Sequence, residues 1–469
     1  MQIKFGTDGW RGVIARDYNF DTLSVVAQAT MDYLNREGLW DKGLIIGYDR
    51  RFMSRDFARR VAEVAAGNGI RVRMSESFAP TPAISWAVRQ HGAGAGVMIT
   101  ASHNPPEYNG FKIKENFGGS ARPATTRIIE EIVTFNIAEG RRIVDMPYEE
   151  ALGKGMIELF DPAEDYFHQI SRYVDLNLIA KSGIRVVVDP MYGAGCGYIS
   201  RLLDKACEIH GYENPSFGGQ PPEPIGEHLS ELSALVAGGQ YQVGLALDGD
   251  ADRIGAVDEH GEFFSSHCIF TIILRHLLEH KRLSGGVVKT VSTTRMVDLL
   301  AAKYELRLFE TPIGFKHICE LMLAEDILMG GEESGGLGVK GHIPERDGIL
   351  MGLLLLEAMA VSGKGLRELL KETMDEIGHF YYQRIDRHIA ADVKEQLIAR
   401  LEADPPQEID GRPVAATNFS DGFKFMFENG DWLLIRPSGT EPVLRLYSEA
   451  GSPEQVDRLL RAALVLANT

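Results

Sequence analysis

The stretch Leu44-Ile45-Ile46-Gly47-Tyr48-Asp49 is followed by a polar turn and then, from Ser54, by Phe57, Val61, Val64 and Ala65 at helical spacing. A short unbroken apolar run predicts a buried strand, and apolar residues three and four apart mark one face of a helix. The same plan continues. Arg71-Val72-Arg73-Met74 predicts a second strand, Thr81-Pro82 opens a second helix, and Ala95-Gly96-Val97-Met98-Ile99 predicts a third strand.

The plan returns at Ile184-Arg185-Val186-Val187-Val188-Asp189, followed by the loop Gly193-Ala194-Gly195 and a helix. It returns again at Val287-Val288-Lys289-Thr290-Val291, before a helix carrying Met296, Leu299 and Leu300. Strands alternating with helices imply parallel α/β sheets. The C-terminal part differs: Phe423-Lys424-Phe425-Met426-Phe427 and Trp432-Leu433-Leu434-Ile435 flank the turn Glu428-Asn429-Gly430-Asp431 and predict a β-hairpin. A strand at Val443-Leu444-Arg445-Leu446-Tyr447 and a helix with Val456, Leu459, Leu460 and Leu464 complete an α+β unit. The expectation is α/β, with three related mixed or parallel α/β domains over residues 1–150, 151–255 and 256–375, and a C-terminal α+β domain over 376–469.

A chain of 469 residues suits three or four domains at about 100–200 residues each. With 44% hydrophobic and 25% charged residues, it has the composition of a globular protein. A formal charge of −17 opposes a nucleic-acid or anionic-membrane surface, so any anion must be bound by short clusters of cations and backbone donors. The four cysteines, Cys196, Cys207, Cys268 and Cys319, form no metal-like pair and are expected to be reduced and mostly buried. The N-terminus lacks the apolar region of a signal peptide, and no apolar run is long enough to span a bilayer, so a cytoplasmic location is expected.

Five stretches carry candidate chemistry. Thr100-Ala101-Ser102-His103-Asn104-Pro105-Pro106 directly follows the strand ending at Ile99. Ligands of open parallel sheets sit at the carboxyl ends of strands, so Ser102 is placed to enter a crevice. Lys112 follows Asn109-Gly110, where a hairpin would return it beside Ser102; a serine nucleophile needs a base, cation or metal. Asp248-Gly249-Asp250-Ala251-Asp252-Arg253 offers three carboxylates at alternate positions, suited to one hard cation, with Arg253 locked against them. Glu259 stands where a calcium loop would end, but Arg253 occupies the position such a loop reserves for glycine, and both flanks read as strands. Magnesium is the expected ion.

Gly330-Gly331-Glu332-Glu333-Ser334-Gly335-Gly336 lets the backbone approach a ligand while Glu332 and Ser334 aim at sugar hydroxyls, and Lys316 lies within reach of a sugar oxygen or phosphate. Arg436-Pro437-Ser438-Gly439-Thr440-Glu441-Pro442 combines a guanidinium fork, two hydroxyls and a glycine into a phosphate nest, with Arg445 as a second fork. Phe5-Gly6-Thr7-Asp8-Gly9-Trp10-Arg11-Gly12 places another arginine, Arg11, in a glycine-rich turn. Each stretch alone also reads as an ordinary turn. Together they provide a nucleophile, a hard-metal site, a hydroxyl grip and a separate phosphate clamp.

In these motifs and their order, the chain resembles the α-D-phosphohexomutase superfamily. The resemblance covers nearly the whole length. It implies four domains around a central cleft, with Ser102 phosphorylated and magnesium held by Asp248, Asp250, Asp252 and a phosphate oxygen on Ser102. It further implies phosphoryl transfer between the 1- and 6-positions of a hexose phosphate through a hexose 1,6-bisphosphate. Lys112 and Arg11 become the acid/base and charge-stabilising partners, with His103 and Arg253 in support. Lys316, Glu332 and Ser334 contact sugar, while Arg436, Ser438, Gly439, Thr440 and Arg445 hold the non-reacting phosphate. Bacterial relatives acting on mannose or glucosamine phosphates often end the sugar loop with histidine, where this chain has Gly336. Together with Glu332-Glu333 and Gly314-Phe315-Lys316, that departure favours the phosphoglucomutase branch, with phosphomannomutase or phosphoglucosamine mutase as alternatives. The expected partner is a hexose phosphate, the expected state monomer or homodimer. A phosphatase using Asp248 as nucleophile and a silent sugar-phosphate binder are the competing readings.

Overall fold

A computed structural model describes residues 3–6, 8–438 and 443–468. Its first sheet contains β1 (Trp10–Val13), β2 (Leu44–Tyr48), β3 (Val72–Ser75), β4 (Ala95–Ile99), β5 (Tyr108–Glu115) and β6 (Ile157–Phe160), in the order β1-β5-β4-β2-β3-β6. The central strands β2 and β4 are buried at every residue, as their unbroken apolar runs require, and they pair in parallel with Leu44 opposite Ala95. Helices Ser54–Gly67 and Thr81–Gln90 follow β2 and β3.

The second sheet joins β7 (Val186–Asp189), β8 (Cys207–Glu208), β9 (Val243–Leu247), β10 (Ile254–Val257) and β11 (Phe263–Phe264) in the order β11-β10-β9-β7-β8. The third joins β12 (Gly286–Thr290), β13 (Leu308–Thr311), β14 (Ile327–Gly331) and β15 (Leu337–Val339) in the order β13-β12-β14-β15. All three sheets are mixed, each having antiparallel pairs at one side: β4 with β5, β9 with β10, and β14 with β15. The helix Gly348–Ser362 is almost wholly buried, and its leucines join both sheets in one continuous core with Leu245, Leu247 and Met329.

The last unit starts with β16 (Tyr381–His388), carries a small ribbon of β17 (Glu408–Ile409) and β18 (Arg412–Pro413), and continues through β19 (Ala416–Asn418), β20 (Phe423–Met426), β21 (Trp432–Pro437) and β22 (Val443–Ala450). Its main sheet runs β16-β22-β21-β20-β19, entirely antiparallel, with helices Ala391–Ala403 and Pro453–Asn468. The hairpin read from sequence is β20–β21, with Gly430 at φ 85° in its turn.

Several expectations change. The first sheet takes in residues 157–160, and the second residues 256–264, both beyond the 150 and 255 read from sequence. β6 is an edge strand with two exposed residues and β11 is two residues long, so neither presents an apolar run. Asn109-Gly110 is not a turn but lies inside β5. Gly110 is required there because a Cβ would sit 2.5 Å from the Thr100 carbonyl oxygen and 2.9 Å from that of Trp10, on the two flanking backbones. The turn between β4 and β5 is residues 100–107, the serine loop itself. Of the cysteines, only Cys319 is buried; the other three are half-buried. Among the described residues no single helix is long and apolar enough to cross a membrane.

Candidate active site

The serine loop leaves β4 and turns sharply at Ser102, whose φ of 54° is left-handed and strained for a residue with a side chain. Thr100 shapes this turn: its Oγ1 donates to Asp49 Oδ2 at 2.6 Å and accepts from the Ser102 backbone N–H at 2.9 Å. Ser102 is 1% exposed, and its Oγ donates to Asp248 Oδ2 at 2.7 Å. The His103 Nδ1 lies 3.4 Å from the same Oγ. Burial, reinforced by Arg253, Arg11, Lys112 and Arg51, pushes the His103 imidazole well below its ordinary pKa, so it is neutral.

Asp248 lies where the chain leaves β9, and the turn to β10 carries Asp250 and Asp252; all three are fully buried, with oxygens within 4.8 Å of one another. Burial and the neighbouring Asp250 and Asp252 carboxylates push Asp248 well above the ordinary carboxyl range. Gly249 permits contact with the serine loop, since a Cβ there would stand 2.3 Å from the Ser102 carbonyl oxygen. Thr81, at the start of its helix, donates its hydroxyl to Asp250 and its backbone N–H to the Asp250 carbonyl at 2.9 Å.

Lys112 arrives from within β5, opposite Met98, rather than through a hairpin at Asn109-Gly110. Its Nζ reaches Asp250 at 2.7 Å, Asp252 at 3.0 Å and Asp8 at 2.8 Å. Burial would lower its pKa, but Asp250, Asp252 and Asp8 outweigh that and hold it charged above the usual lysine range. The cations locked against the triad are therefore Lys112 and Arg346, the latter 2.8 Å from Asp252. Arg253, expected in that role, sits looser, 3.9 Å from Asp252 and 3.8 Å from Glu223, while its backbone N–H donates to Asp248 Oδ1 at 3.1 Å. Arg11, on β1, donates to the Asn104 side chain and so reaches the serine loop.

The sugar-loop candidate joins the same hollow. Gly335, at φ 91°, presents its carbonyl to the Ile254 N–H at 3.1 Å, and Gly336 bridges to Arg253. Glu332 is buried, with Oε2 accepting from Ser334 Oγ at 3.1 Å and Oε1 lacking a partner. Gly336 has a local cause: a Cβ there would stand 2.3 Å from Arg346 Cδ. Lys316 lines a small cavity together with Asp8, Gly9 and Ser120.

In the last unit, Arg436 and Arg445 are cross-strand partners on β21 and β22. Arg436 donates to Asp421 at 2.8 Å, Arg445 lies 3.5 Å from Asp386, and the Ser438 carbonyl accepts from Lys394 at 3.0 Å. Gly439 and Thr440 lie outside the described residues. This unit meets the sugar loop through Arg384, whose guanidinium is 3.2 Å from Glu333.

Four models of one family match in order. They are described as phosphoglucomutase/phosphomannomutase alpha/beta/alpha domain I over residues 2–139, domain II over 164–261, domain III over 265–377, and the C-terminal domain over 390–464. A phosphoglucomutase/phosphomannomutase of Thermococcus kodakarensis is 30% identical over 98% of both chains. The chain belongs to the phosphoglucomutase/phosphomannomutase family. It is a phosphohexomutase, an isomerase that moves a phosphoryl group within a hexose phosphate. A phosphoglucomutase of Komagataeibacter xylinus is 29% identical over 96% of this chain and 88% of its own, and another relative, from Acetivibrio thermocellus, is named phosphoglucosamine mutase. A crystal structure from Thermus thermophilus, whose description names a phosphomannomutase, superposes with a TM-score of 0.86 at 35% identity, covering all of both chains.

Residues that the sequence left without a role join this candidate site. Asp8 pairs with Lys112 and Arg346, and Lys114 pairs with Glu345 at 2.6 Å. Asp8 stands in the glycine-rich stretch of residues 5–12 that also carries Arg11. Arg346 had one signal, the charged run Glu345-Arg346-Asp347 immediately before a helix that is apolar all round.

A divalent hard cation fits the triad. The donors are all oxygens, and Asp250 Oδ1 and Asp252 Oδ1 are buried without a hydrogen-bond partner. Unpaired buried carboxylate oxygens are costly, and a bound cation would satisfy them. Phosphohexomutases of this family generally depend on magnesium.

Proposed function

We propose that this phosphohexomutase interconverts glucose 1-phosphate and glucose 6-phosphate through phosphoserine at Ser102 and glucose 1,6-bisphosphate. The contact between Ser102 Oγ and Asp248 Oδ2 at 2.7 Å carries the reading, because it brings a nucleophilic hydroxyl to a triad of carboxylates in one buried site. Asp248, Asp250, Asp252 and a phosphate oxygen on Ser102 would hold Mg2+, which neutralises charge on the phosphoryl group in transfer.

Phosphorylated Ser102 gives its phosphoryl group to the free hydroxyl of the sugar monophosphate; the bisphosphate reorients, and its other phosphoryl group returns to Ser102. Lys112 is held charged by three carboxylates, which suits charge stabilisation and proton donation rather than proton abstraction. Arg11 supplies positive charge beside the loop through its contact with Asn104, and His103 and Arg253 support the serine. Glu332, with a buried unpartnered oxygen, accepts from sugar hydroxyls, with Ser334 and Lys316 beside it. Arg436, Ser438, Gly439, Thr440 and Arg445 hold the phosphate that is not reacting.

Glucose is favoured by the sugar loop: Gly336 leaves no room for the histidine common among relatives acting on mannose and glucosamine phosphates, because Arg346 fills that space. Relatives named for mannose and glucosamine substrates support the second reading, a mutase of either sugar phosphate. A coupled assay of glucose, mannose and glucosamine 1-phosphates with Mg2+ separates them. The highest kcat/KM is expected for glucose 1-phosphate; a tenfold preference for either other sugar overturns that choice. Release of inorganic phosphate as fast as substrate disappears would instead mark a phosphatase.

A further inference from the structure

The serine loop poses a hydrogen-bonding problem. The peptides after Asn104 and Pro105 lead into prolines, and the loop forms neither helix nor sheet, so its inward carbonyls have few backbone donors. One side chain from another segment meets them. Arg51, three residues past β2, donates from Nη2 to the carbonyls of Ser102 and Asn104, both at 2.6 Å, and from Nη1 to those of Pro105 at 2.8 Å and Tyr108 at 3.1 Å.

We propose that Arg51 is a positioning residue for phosphoryl transfer, its guanidinium gathering three carbonyls of the serine loop and that of Tyr108, the first residue of β5, so that Ser102 is held at the angle from which it meets the carboxylate triad. The inference rests on Ser102 being the phosphoryl carrier.

Three observations favour this over simple packing. The guanidinium side chain is completely buried and forms an ion pair with Asp49, Nε to Oδ2 3.2 Å, and Asp49 accepts hydrogen bonds from Ser54 Oγ, Thr100 Oγ1 and the Arg51 backbone N–H. Asp49 therefore orients both Arg51 and Thr100, the two groups that fix Ser102 through its carbonyl and its N–H. The Ser102 backbone is left-handed, a conformation that persists only where surrounding contacts over-determine it. Finally, the guanidinium carbon Cζ lies 4.9 Å from the ring centroid of Phe217, in the unit that carries the metal-loop aspartates, and Gly249 packs directly on the same Ser102 carbonyl. Arg51 thus clamps the nucleophile's loop against the unit that bears Asp248. Lysine would keep the charge but not the planar fork that serves four acceptors.

The test uses full-length enzyme carrying Arg51→Lys or Asp49→Asn, with Ser102→Ala as reference. Single-turnover transfer from phosphorylated enzyme to glucose 1-phosphate is measured per phosphoserine, with steady-state kcat and KM. For Arg51→Lys, a fall of about ten- to a hundredfold in the transfer rate is expected, with KM within about twofold. A purely structural role would reduce the folded fraction but leave the rate per phosphorylated site at the wild-type value, and that result overturns the proposal. Should Arg51→Lys fail to fold by circular dichroism, Asp49→Asn decides. It is expected to slow transfer at least about threefold with unchanged KM, and a wild-type rate in it refutes the clamp. Full activity in Ser102→Ala would overturn the Ser102 assignment itself, whereas an inactive Ser102→Ala with normal Arg51 and Asp49 variants would overturn only the clamp.

Discussion

Gly249→Ala is the smallest change expected to separate the nucleophile from its carboxylates. Gly249 has no left-handed φ, so alanine meets no backbone penalty there and its effect is steric. The added Cβ would lie 2.3 Å from the Ser102 carbonyl oxygen and 3.0 Å from Pro222 Cγ, where ordinary contact begins near 3.4 Å. Because the near neighbour is backbone, relief requires the two loops to part by about 1 Å, in a site where Ser102 Oγ and Asp248 now meet at 2.7 Å. A displacement of about 1 Å from productive geometry costs on the order of a hundredfold in rate, close to 3 kcal/mol of activation free energy. Overpacking of this kind costs about 1–3 kcal/mol of stability, so a fall in Tm of several degrees should accompany it. The assay is the coupled conversion of glucose 1-phosphate over a range of Mg2+ concentrations, with thermal unfolding alongside. KM for the sugar phosphate should barely change, since Glu332, Ser334 and the arginine clamp do not touch Gly249. Wild-type kcat together with wild-type Tm would refute the reasoning, because it would mean the two loops do not need this contact.

Two further outcomes follow from particular contacts. Gly336→His should lower activity at least tenfold rather than broaden specificity, because its Cβ alone meets Arg346 Cδ at 2.3 Å; coupled assays on the three sugar phosphates would read this. His267 is buried against Tyr382 and near Lys289, and burial together with that lysine lowers its pKa to about 3. The unfolded chain therefore takes up a proton near pH 6.5 that the folded chain refuses, so this stabilisation is whole at pH 7 and declines as pH falls from about 6.5 towards 3. By pH 5 the loss is about 2 kcal/mol, and denaturant titrations should show His267→Gln losing less stability between pH 7 and 5 than the wild type. Parallel slopes in the two proteins would count against a neutral buried imidazole.

Much of the fold was legible because its central strands are unbroken apolar runs. Leu44–Tyr48, Ala95–Ile99 and Val243–Leu247 can only be buried, and the helices between them place them in parallel sheets. What the pattern hid were elements defined by pairing rather than by side chains. Ile157–Phe160 is half-exposed at an edge, and Asn109-Gly110 imitates a turn while its glycine serves a close passage between strands. The site divided in the same way. Ser102 and the three aspartates announce themselves through local spacing, whereas the partners of Lys112 depend on contacts from Asp8, far away in sequence. Arg51 and Arg346 act through the loops they cross, and such contacts leave no periodic trace. The looser position of Arg253 has the same origin: adjacency in sequence to three aspartates did not bring its guanidinium closest to them.

The central claim is that the migrating phosphoryl group rests on Ser102. Incubating the enzyme with glucose 1,6-bisphosphate carrying labelled phosphate, then mapping label by peptide mass spectrometry and following its chase into glucose phosphates, tests it most directly. Label on the Ser102 peptide, discharged to sugar at least as fast as turnover and absent from Ser102→Ala, is the predicted result. Label elsewhere, discharge to water, or undiminished turnover in Ser102→Ala would contradict it.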